Sequence, residues 1–346
     1  MLNRRSAISA MGAAALAQIM PAPLLGASGK SSAGKLSLLR EGDTVGLVAP
    51  AGFVGDRFGL EQIEDTIRAM GLVPKSDPHM LERHGYLAGT DRTRAAALQT
   101  MFEDDAVRAI FAVRGGWGSA RLLPYLDFSV IRSNPKLLVG SSDITALHLA
   151  LAAKTAMPSI HGPNAAHSWP QAAWQSFRAL TFDGATPTYA VDQRGSDRLA
   201  LARGILTFRS GKARGRLLGG NLSVLSAMVG TPWLPDFGGA ILFLEDTNEA
   251  EYRIDRMLTQ LGQSGLLARL AGVVFGQCTN CRNPGSPYGN FTLPEVLDHH
   301  FGPLGIPAFQ GARIGHISQQ VSIPVGIEAE IDASAGTIRI LEPVAV

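Results

Sequence analysis

A serine at a predicted corner between a strand and a helix is the residue of this chain best placed to act as a nucleophile. The segment 137–139 is a short apolar run typical of a buried strand, Gly140 and Ser141 follow it, and an apolar helical pattern begins directly after Ser142. A residue at such a corner rises above the sheet edge, and the amides of the first helical turn leave a positive partial charge beside it. We predict that Ser142 is a catalytic nucleophile, and Ser141 remains the alternative because spacing does not separate the two.

A serine nucleophile needs a general base, usually a histidine, and a carboxylate that fixes the tautomer of that base. Among the eight histidines, His161 and His316 follow apolar segments into turns that contain glycine, so both are candidates for the base. Glu245 and Asp246 end the strongly apolar run 240–244, and either could orient a histidine. The residues alone leave both choices open.

Backbone amides for an oxyanion are predicted in two places. The loop Arg114-Gly115-Gly116-Trp117-Gly118-Ser119 follows an apolar strand, and its glycines allow the backbone to approach a ligand closely. Its spacing matches neither the phosphate-binding nor the dinucleotide-binding fingerprint, and the alternative is a turn needed only for packing. The backbone N–H of Asp143 directly follows Ser142 and could be a second donor. We expect the Asp143 carboxylate itself to be bound by amides of its own helical turn.

Strands and helices alternate through the N-terminal half. Apolar runs at 44–49 and 109–113 predict buried strands, and helical patterns cover 58–70 and the segment from a Thr90 cap to residue 102. This alternation predicts a parallel sheet with helices on both faces, in which sites form at the carboxyl ends of the strands.

Helical periodicity is lost after about residue 184, and the C-terminal part contains more strands than helices. We therefore expect an α/β protein in which 36–185 form an N-terminal parallel-sheet domain carrying the nucleophile. Residues 186–215 form a connection, and 216–346 form a smaller β-rich α+β domain that contains the candidates Glu245, Asp246 and His316.

The N-terminus has the order of segments typical of a signal peptide. Arg4 and Arg5 are followed by an uncharged, alanine-rich run at 10–20 and by small residues near Ala27. The run is too short and too weakly apolar for a good membrane span, and the paired arginines indicate the twin-arginine route. We expect 1–30 to be a twin-arginine signal peptide and the mature protein to be periplasmic; the alternative is a simple N-terminal extension.

Composition excludes several classes of protein. A hydrophobic content of 46% is too high for a disordered chain, and a net charge of +2 without a basic cluster beyond the N-terminus argues against nucleic-acid binding. Cys278 and Cys281, the two cysteines, could form a redox pair or half of a zinc site, but a structural zinc needs about four ligands. Two thiols at a strand end, oxidised after export, are the preferred interpretation, and we expect no metal and no cofactor.

Seven motifs occur in order along the chain: Gly46-Leu47-Val48-Ala49-Pro50-Ala51-Gly52, Gly89-Thr90-Asp91, Arg114-Gly115-Gly116-Trp117-Gly118, Gly140-Ser141-Ser142-Asp143-Ile144-Thr145-Ala146, Gly219-Gly220-Asn221-Leu222-Ser223, Leu244-Glu245-Asp246, and Gly315-His316 before Pro324-Val325-Gly326. Together they resemble the LD-carboxypeptidase family of serine peptidases, which includes the microcin-immunity peptidases. The resemblance implies that Ser142 is the nucleophile, Glu245 the orienting acid and His316 the base, with the amides of Gly116 and Asp143 as the oxyanion hole.

The resemblance also implies a site at the cleft between two domains, a homodimer, and no cofactor. The implied reaction removes the terminal D-Ala of a murein tetrapeptide from the L-centre of meso-diaminopimelate or Lys, through an acyl-enzyme. Two alternatives are an immunity-type peptidase that cleaves acyl-nucleotide conjugates and a muropeptide-binding protein without activity.

Four further residues concern the substrate. Arg114 is a candidate partner for the terminal carboxylate, against the alternative of a structural salt bridge. Trp117 stands where tyrosine is more usual in the family. Ser141 stands where an aromatic residue is common, and the loss of that aromatic residue beside the nucleophile is expected to widen the site. Asn221 is expected to cap the helix that follows it and is also a candidate for substrate binding.

Overall fold

The computed structural model describes residues 36–191, 204–283, 285 and 289–346. The predicted signal peptide at 1–30 and most of the first half of the predicted connection lie outside these residues. No helix of the described part is both long enough and apolar enough to cross a membrane.

The described residues contain fourteen strands and eight α-helices. The strands are β1 Thr44–Val48, β2 Val73–Ser76, β3 Val107–Ala112, β4 Leu137–Gly140, β5 Ser159–His161, β6 Thr188–Ala190, β7 Leu206–Arg209, β8 Lys212–Asn221, β9 Ile241–Thr247, β10 Gly272–Thr279, β11 Ala308–Gln310, β12 Ile323–Val325, β13 Glu328–Asp332 and β14 Thr337–Ile340. The helices are α1 Arg57–Ala69, α2 Asp91–Glu103, α3 Phe128–Ser133, α4 Thr145–Lys154, α5 Gln171–Thr181, α6 Leu222–Ala227, α7 Glu251–Gln263 and α8 Leu293–Phe301.

The first sheet has the order β12-β5-β4-β3-β1-β2. Its strands β1 to β5 pair in parallel, which confirms the predicted parallel sheet. The central strands are buried on both faces, as their continuous apolar sequences require. One strand was not predicted here: β12, from the C-terminal part, pairs antiparallel with β5 at the edge. Pro324 lacks a backbone N–H, which an edge strand tolerates.

The second sheet has the order β6-β14-β13-β8-β9-β10-β11-β7. Strands β8 to β11 pair in parallel, and the outer strands pair antiparallel. Strands β6 and β7 form the two edges of this second sheet, and both lie in the predicted connection at 186–215. The β-rich character predicted for the C-terminal part is confirmed.

Local capping explains where the first helices begin. The Asp56 side chain accepts a hydrogen bond from the amide of Gly59 at 2.8 Å, and α1 then buries an apolar stripe. Thr90 accepts from the amide of Thr93 at 3.1 Å and begins α2, as predicted. Gly71, with φ +82°, follows the end of α1 in a conformation that favours glycine.

The buried side chains of the two sheets belong to one continuous apolar cluster. Helix α4, which follows the serine corner, contacts β8 of the second sheet. The corner that follows β4 therefore lies next to β8 of the second sheet. The predicted division into two domains remains a prediction.

Candidate active site

The backbone at Ser142 has an unusual conformation. Ser142 follows β4 and has φ +64°, a left-handed value that serine rarely adopts. Such a conformation costs about 1 to 3 kcal/mol and persists only when the surrounding structure enforces it. Ser141 has extended backbone with φ −144° and is buried, and its amide donates to the Asn164 side chain at 3.1 Å. The structure therefore favours Ser142, which is only half-buried, over Ser141 as the accessible corner residue.

The two candidate histidines have very different surroundings. His316 Nδ1 lies 2.7 Å from Glu245 Oε2, and its ring remains partly exposed. His161 is fully buried, packs against Phe243 at a ring distance of 5.5 Å, and has no hydrogen-bond partner for either nitrogen among the described residues. Burial lowers the pKa of His161 well below its ordinary value. Of these two candidates, only His316 has both a carboxylate partner and access to solvent.

Glu245 acts to raise the pKa of His316. Burial acts to lower the pKa of His316, but the hydrogen bond and negative charge of Glu245, with the charge of Asp246, outweigh it and raise that pKa. Because the fully buried carboxylate accepts from Nδ1, the other ring nitrogen, Nε2, is left to take a proton. Among the described residues no hydrogen bond joins His316 to Ser142. Such bonds are often long in unliganded enzymes and tighten when substrate binds.

Asp246 and Asn221 support this pair. Asp246 accepts from the amide and the hydroxyl of Ser223, each at 2.9 Å, so it is a structural partner rather than the one that orients His316. The Asn221 side-chain amide donates to Asp246 at 3.0 Å and to Glu245 at 3.3 Å. The Asn221 side-chain oxygen also accepts from the amide of Val224, which confirms the predicted helix cap.

A hydrogen bond links the serine corner to the group of residues around His316 and Glu245. The amide of Asn221 donates to Thr145 Oγ1, at the start of α4, at 2.9 Å. A side chain at Gly220 would come within 2.3 Å of that oxygen, so glycine allows this approach. Sequence reasoning missed Thr145, although a polar residue opening an apolar helix three positions after Ser142 was a usable signal. The contact connects the corner to Asn221 and hence to Glu245.

The glycine-rich loop packs directly on the corner. A side chain at Gly115 would lie 3.1 Å from Ser142 Cβ and 3.2 Å from the Ser141 carbonyl oxygen. Gly116 has φ +117°, a conformation open to glycine and rare for other residues. The backbone of this loop therefore lies beside Ser142.

The prediction for the Asp143 carboxylate is wrong. No side-chain cap is made to its own helical turn; instead the amide of Ser119, in the glycine-rich loop, donates to Asp143 Oδ2 at 2.7 Å. The close approach of the loop to the corner explains the difference, because it brings the amide of another segment within reach of the side chain.

Family models match both halves of the chain. The model described as the LD-carboxypeptidase N-terminal domain matches residues 45–162, and the model described as the LD-carboxypeptidase C-terminal domain matches 214–331. The chain belongs to the LD-carboxypeptidase family. As a member of this family it is a peptidase, and the matched residues include Ser142, Glu245 and His316.

Similar proteins carry two kinds of name. A probable murein peptide carboxypeptidase of Bacillus subtilis is 36% identical over 312 residues, which are 88% of this chain and 93% of that protein. The structure of a muramoyltetrapeptide carboxypeptidase from Oxalobacter formigenes is 29% identical with a TM-score of 0.69, and the match covers 86% of this chain and 97% of the other. The microcin C7 self-immunity protein of Escherichia coli is 29% identical over 282 residues, 74% of this chain and 80% of that protein.

In this LD-carboxypeptidase family member, Arg114 and Trp117 flank the glycines of the loop. Arg114 is exposed, is in no ion pair within the described ranges, and lines an open cavity of about 220 Å³ with residues of α1 that include Ile63 and Gln62. Trp117 is 46% exposed and adjoins Gly116. Within the described part of the chain, Arg114 therefore forms no structural salt bridge. The side chains of Arg114 and Trp117 are both accessible.

Cys278 and Cys281 form a disulfide at the end of β10. Cys278 is aligned with Asp246 of β9, and the hydroxyl of the intervening Thr279 donates to the His316 carbonyl at 2.9 Å. The disulfide therefore closes the turn beside the segment that carries His316.

Proposed function

We propose that this protein is a serine-type LD-carboxypeptidase of murein peptides. It hydrolyses the amide between the L-centre of meso-diaminopimelate or Lys and the terminal D-Ala of a tetrapeptide. The hydrogen bond of 2.7 Å between His316 and the buried Glu245 carries this proposal, because it is the arrangement that a general base needs.

The proposed reaction assigns one role to each of these groups. His316 Nε2 takes the proton from Ser142 Oγ, and the oxygen attacks the carbonyl carbon next to D-Ala. The amides of Gly116 and Asp143 donate to the resulting oxyanion. The amide bond breaks as His316 returns the proton to the leaving amino group, and water then hydrolyses the acyl-enzyme by the same route.

Arg114 is proposed to bind the free carboxylate of the terminal D-amino acid. Its guanidinium is exposed at the loop that supports Ser142, and a carboxylate is the group that a guanidinium binds best. Trp117 and Asn221 remain candidates for substrate contacts. We further propose that the protein acts in the periplasm, on peptidoglycan-derived peptides, as a homodimer.

A second candidate is an immunity-type peptidase that cleaves acyl-nucleotide conjugates. The similarity to the microcin C7 self-immunity protein favours it. The predicted export argues against it, since a toxin with an intracellular target would not meet a periplasmic enzyme.

The test compares the purified protein with its Ser142→Ala and Ser141→Ala variants on disaccharide tetrapeptide, with release of D-Ala as the measurement. Loss of the nucleophile costs at least about 10⁴-fold in kcat, so Ser142→Ala is expected to be inactive and Ser141→Ala to retain activity. Equal release by the wild type and Ser142→Ala overturns the assignment of the nucleophile. Cleavage of an aspartyl-nucleotide conjugate without release of D-Ala supports the second candidate, and binding of muropeptide without any cleavage supports an inactive binding protein.

A further inference from the structure

The glycine-rich loop is held from one side by a buried carboxylate. Asp143 is fully buried, its Oδ2 accepts from the amide of Ser119 at 2.7 Å, and the Ser119 hydroxyl donates to the Asp143 carbonyl oxygen. Asp143 thus holds Ser119 through both its side chain and its main chain.

A buried guanidinium also binds this loop. Arg94 of α2 is 2% exposed and donates to the Gly118 carbonyl oxygen at 3.0 Å, to the Pro50 carbonyl oxygen, and to Asp91 at 2.5 Å. Gly118 has φ +127°, and a side chain there would come within 2.4 Å of Leu87. The loop is therefore fixed at Gly118, by Arg94 and the close approach of Leu87, and at Ser119, by Asp143.

Stability alone gives a poor account of this buried carboxylate. A buried charge costs free energy unless it is fully paired, and Asp143 Oδ1 has no hydrogen-bond partner among the described residues. Burial raises the pKa of Asp143, against the bonds from Ser119 and the charge of Arg94. A loop rich in glycine would otherwise sample many conformations, and an oxyanion hole works only when its donors are already in place.

We propose that the Asp143 side chain is a positioning residue that sets the spacing between the two oxyanion donors. One donor is the amide of Asp143 itself, and the other is the amide of Gly116, in the loop that the Asp143 carboxylate holds through Ser119. The proposal rests on the proposed function, because the donors act only in the acyl-transfer steps. Arg94 completes the arrangement by donating to the Gly118 carbonyl oxygen of the same loop.

The test measures kcat and KM separately for Asp143→Ala and Asp143→Asn. An alanine frees the loop, so kcat is expected to fall about 10²-fold to 10³-fold while KM changes less than about threefold, as for the loss of an oxyanion donor. Asparagine keeps an oxygen that can accept from the Ser119 amide. The kcat of Asp143→Asn is therefore expected to be at least about tenfold higher than that of Asp143→Ala. A peptide aldehyde, which forms a tetrahedral adduct with the nucleophile, is expected to lose affinity in parallel with kcat.

The control is Asp77→Asn, which removes another buried carboxylate outside the loop and is expected to leave kcat unchanged. Where Asp143→Ala does not fold by circular dichroism, the same comparison is made with Asp143→Leu, which has no oxygen to accept from the Ser119 amide but fills the space of the carboxylate. A folded Asp143→Ala or Asp143→Leu variant with wild-type kcat, or with KM raised as much as kcat is lowered, overturns the proposal. Wild-type protein that releases no D-Ala refutes the proposed function instead.

Discussion

At the scale of single residues, the side chains proposed for catalysis differ in how the structure restrains them. Ser142 is restrained by its backbone, in a left-handed conformation against the glycine-rich loop. His316 is restrained by its side chain, through the bond to Glu245. Glu245 is fully buried and shares the Asn221 amide with Asp246. A base held in this way needs little reorganisation when substrate arrives.

The pH dependence of activity follows from the raised pKa of His316. The base must be neutral, so kcat/KM is expected to rise with pH through a midpoint above the ordinary histidine value of about 6.5. Glu245→Gln removes the main group that raises this pKa and leaves the burial that lowers it. The midpoint is therefore expected to move to lower pH, with kcat reduced by about 10²-fold to 10⁴-fold.

The measurement is kcat/KM from about pH 5 to 9 for the wild type, Glu245→Gln and a control. Glu330→Gln, on β13, breaks an ion pair with Arg339 on β14 and is expected to keep the wild-type profile. A midpoint for Glu245→Gln that stays in place or moves upward contradicts the role of Glu245.

At the scale of elements, the site is assembled from strand ends. Ser142 follows β4, the glycine-rich loop follows β3, and Glu245 lies near the end of β9. Neighbouring parallel strands end at the same edge of a sheet, so each sheet presents its polar groups together. His316 comes from a segment without regular structure, and Gly315 determines how closely that segment approaches β9.

Gly315→Ala tests this approach. Gly315 has φ +121°, and a side chain there would come within 3.1 Å of Glu245 and 3.0 Å of the Gln277 carbonyl oxygen. The variant is expected to lose about 1 to 3 kcal/mol of stability and about 10²-fold in kcat, because a displacement of about 1 Å at the base is enough for such a loss. Thermal unfolding and release of D-Ala provide the two measurements.

Gly326→Ala is the matched control. Gly326 also has a positive φ, +91°, but its side chain would make only ordinary contacts, at 3.7 Å or more. Stability is expected to fall while kcat is retained. If both variants lose stability and keep kcat, the close approach at Gly315 has no part in positioning His316.

At the scale of the whole molecule, the two sheets are coupled through the site. The bond from the Asn221 amide to Thr145 joins the end of β8 to the start of α4. The apolar cluster is continuous across both sheets, so the segments that carry His316 and Ser142 rest on one core. We expect this coupling to keep the two sides aligned during turnover.

Export is a prediction about the chain that carries the predicted signal peptide. Changing Arg4 and Arg5 together to Lys removes the paired arginines that the twin-arginine route reads, so the protein is expected to remain in the cytoplasm. Cell fractionation with activity measurements provides the test, and Lys35→Arg, a conservative change beyond the predicted signal, is the control. Recovery of the double variant in the periplasm at wild-type level contradicts twin-arginine export.

Much of the architecture was predictable because it depends on local patterns. Apolar runs placed the strands of the parallel sheet, and side chains such as Thr90 and Asn221 marked helix starts correctly. Edge strand β12 was not predicted, because three residues in a C-terminal segment carry no information about which sheet they join.

The sequence by itself determined the chemical types at the site: a serine at a corner, a glycine-rich loop, and carboxylates at the end of a strand. Spacing left His161 and His316 open and the family resemblance implied His316, but only the tertiary structure shows the bond from His316 to Glu245, which joins residues 71 positions apart. It also decided that the Asp143 carboxylate binds Ser119 of the loop and not its own helix. The physical reason is the same in both cases, since periodicity reports local burial, whereas the partner of a buried polar group is set by which distant segments pack together.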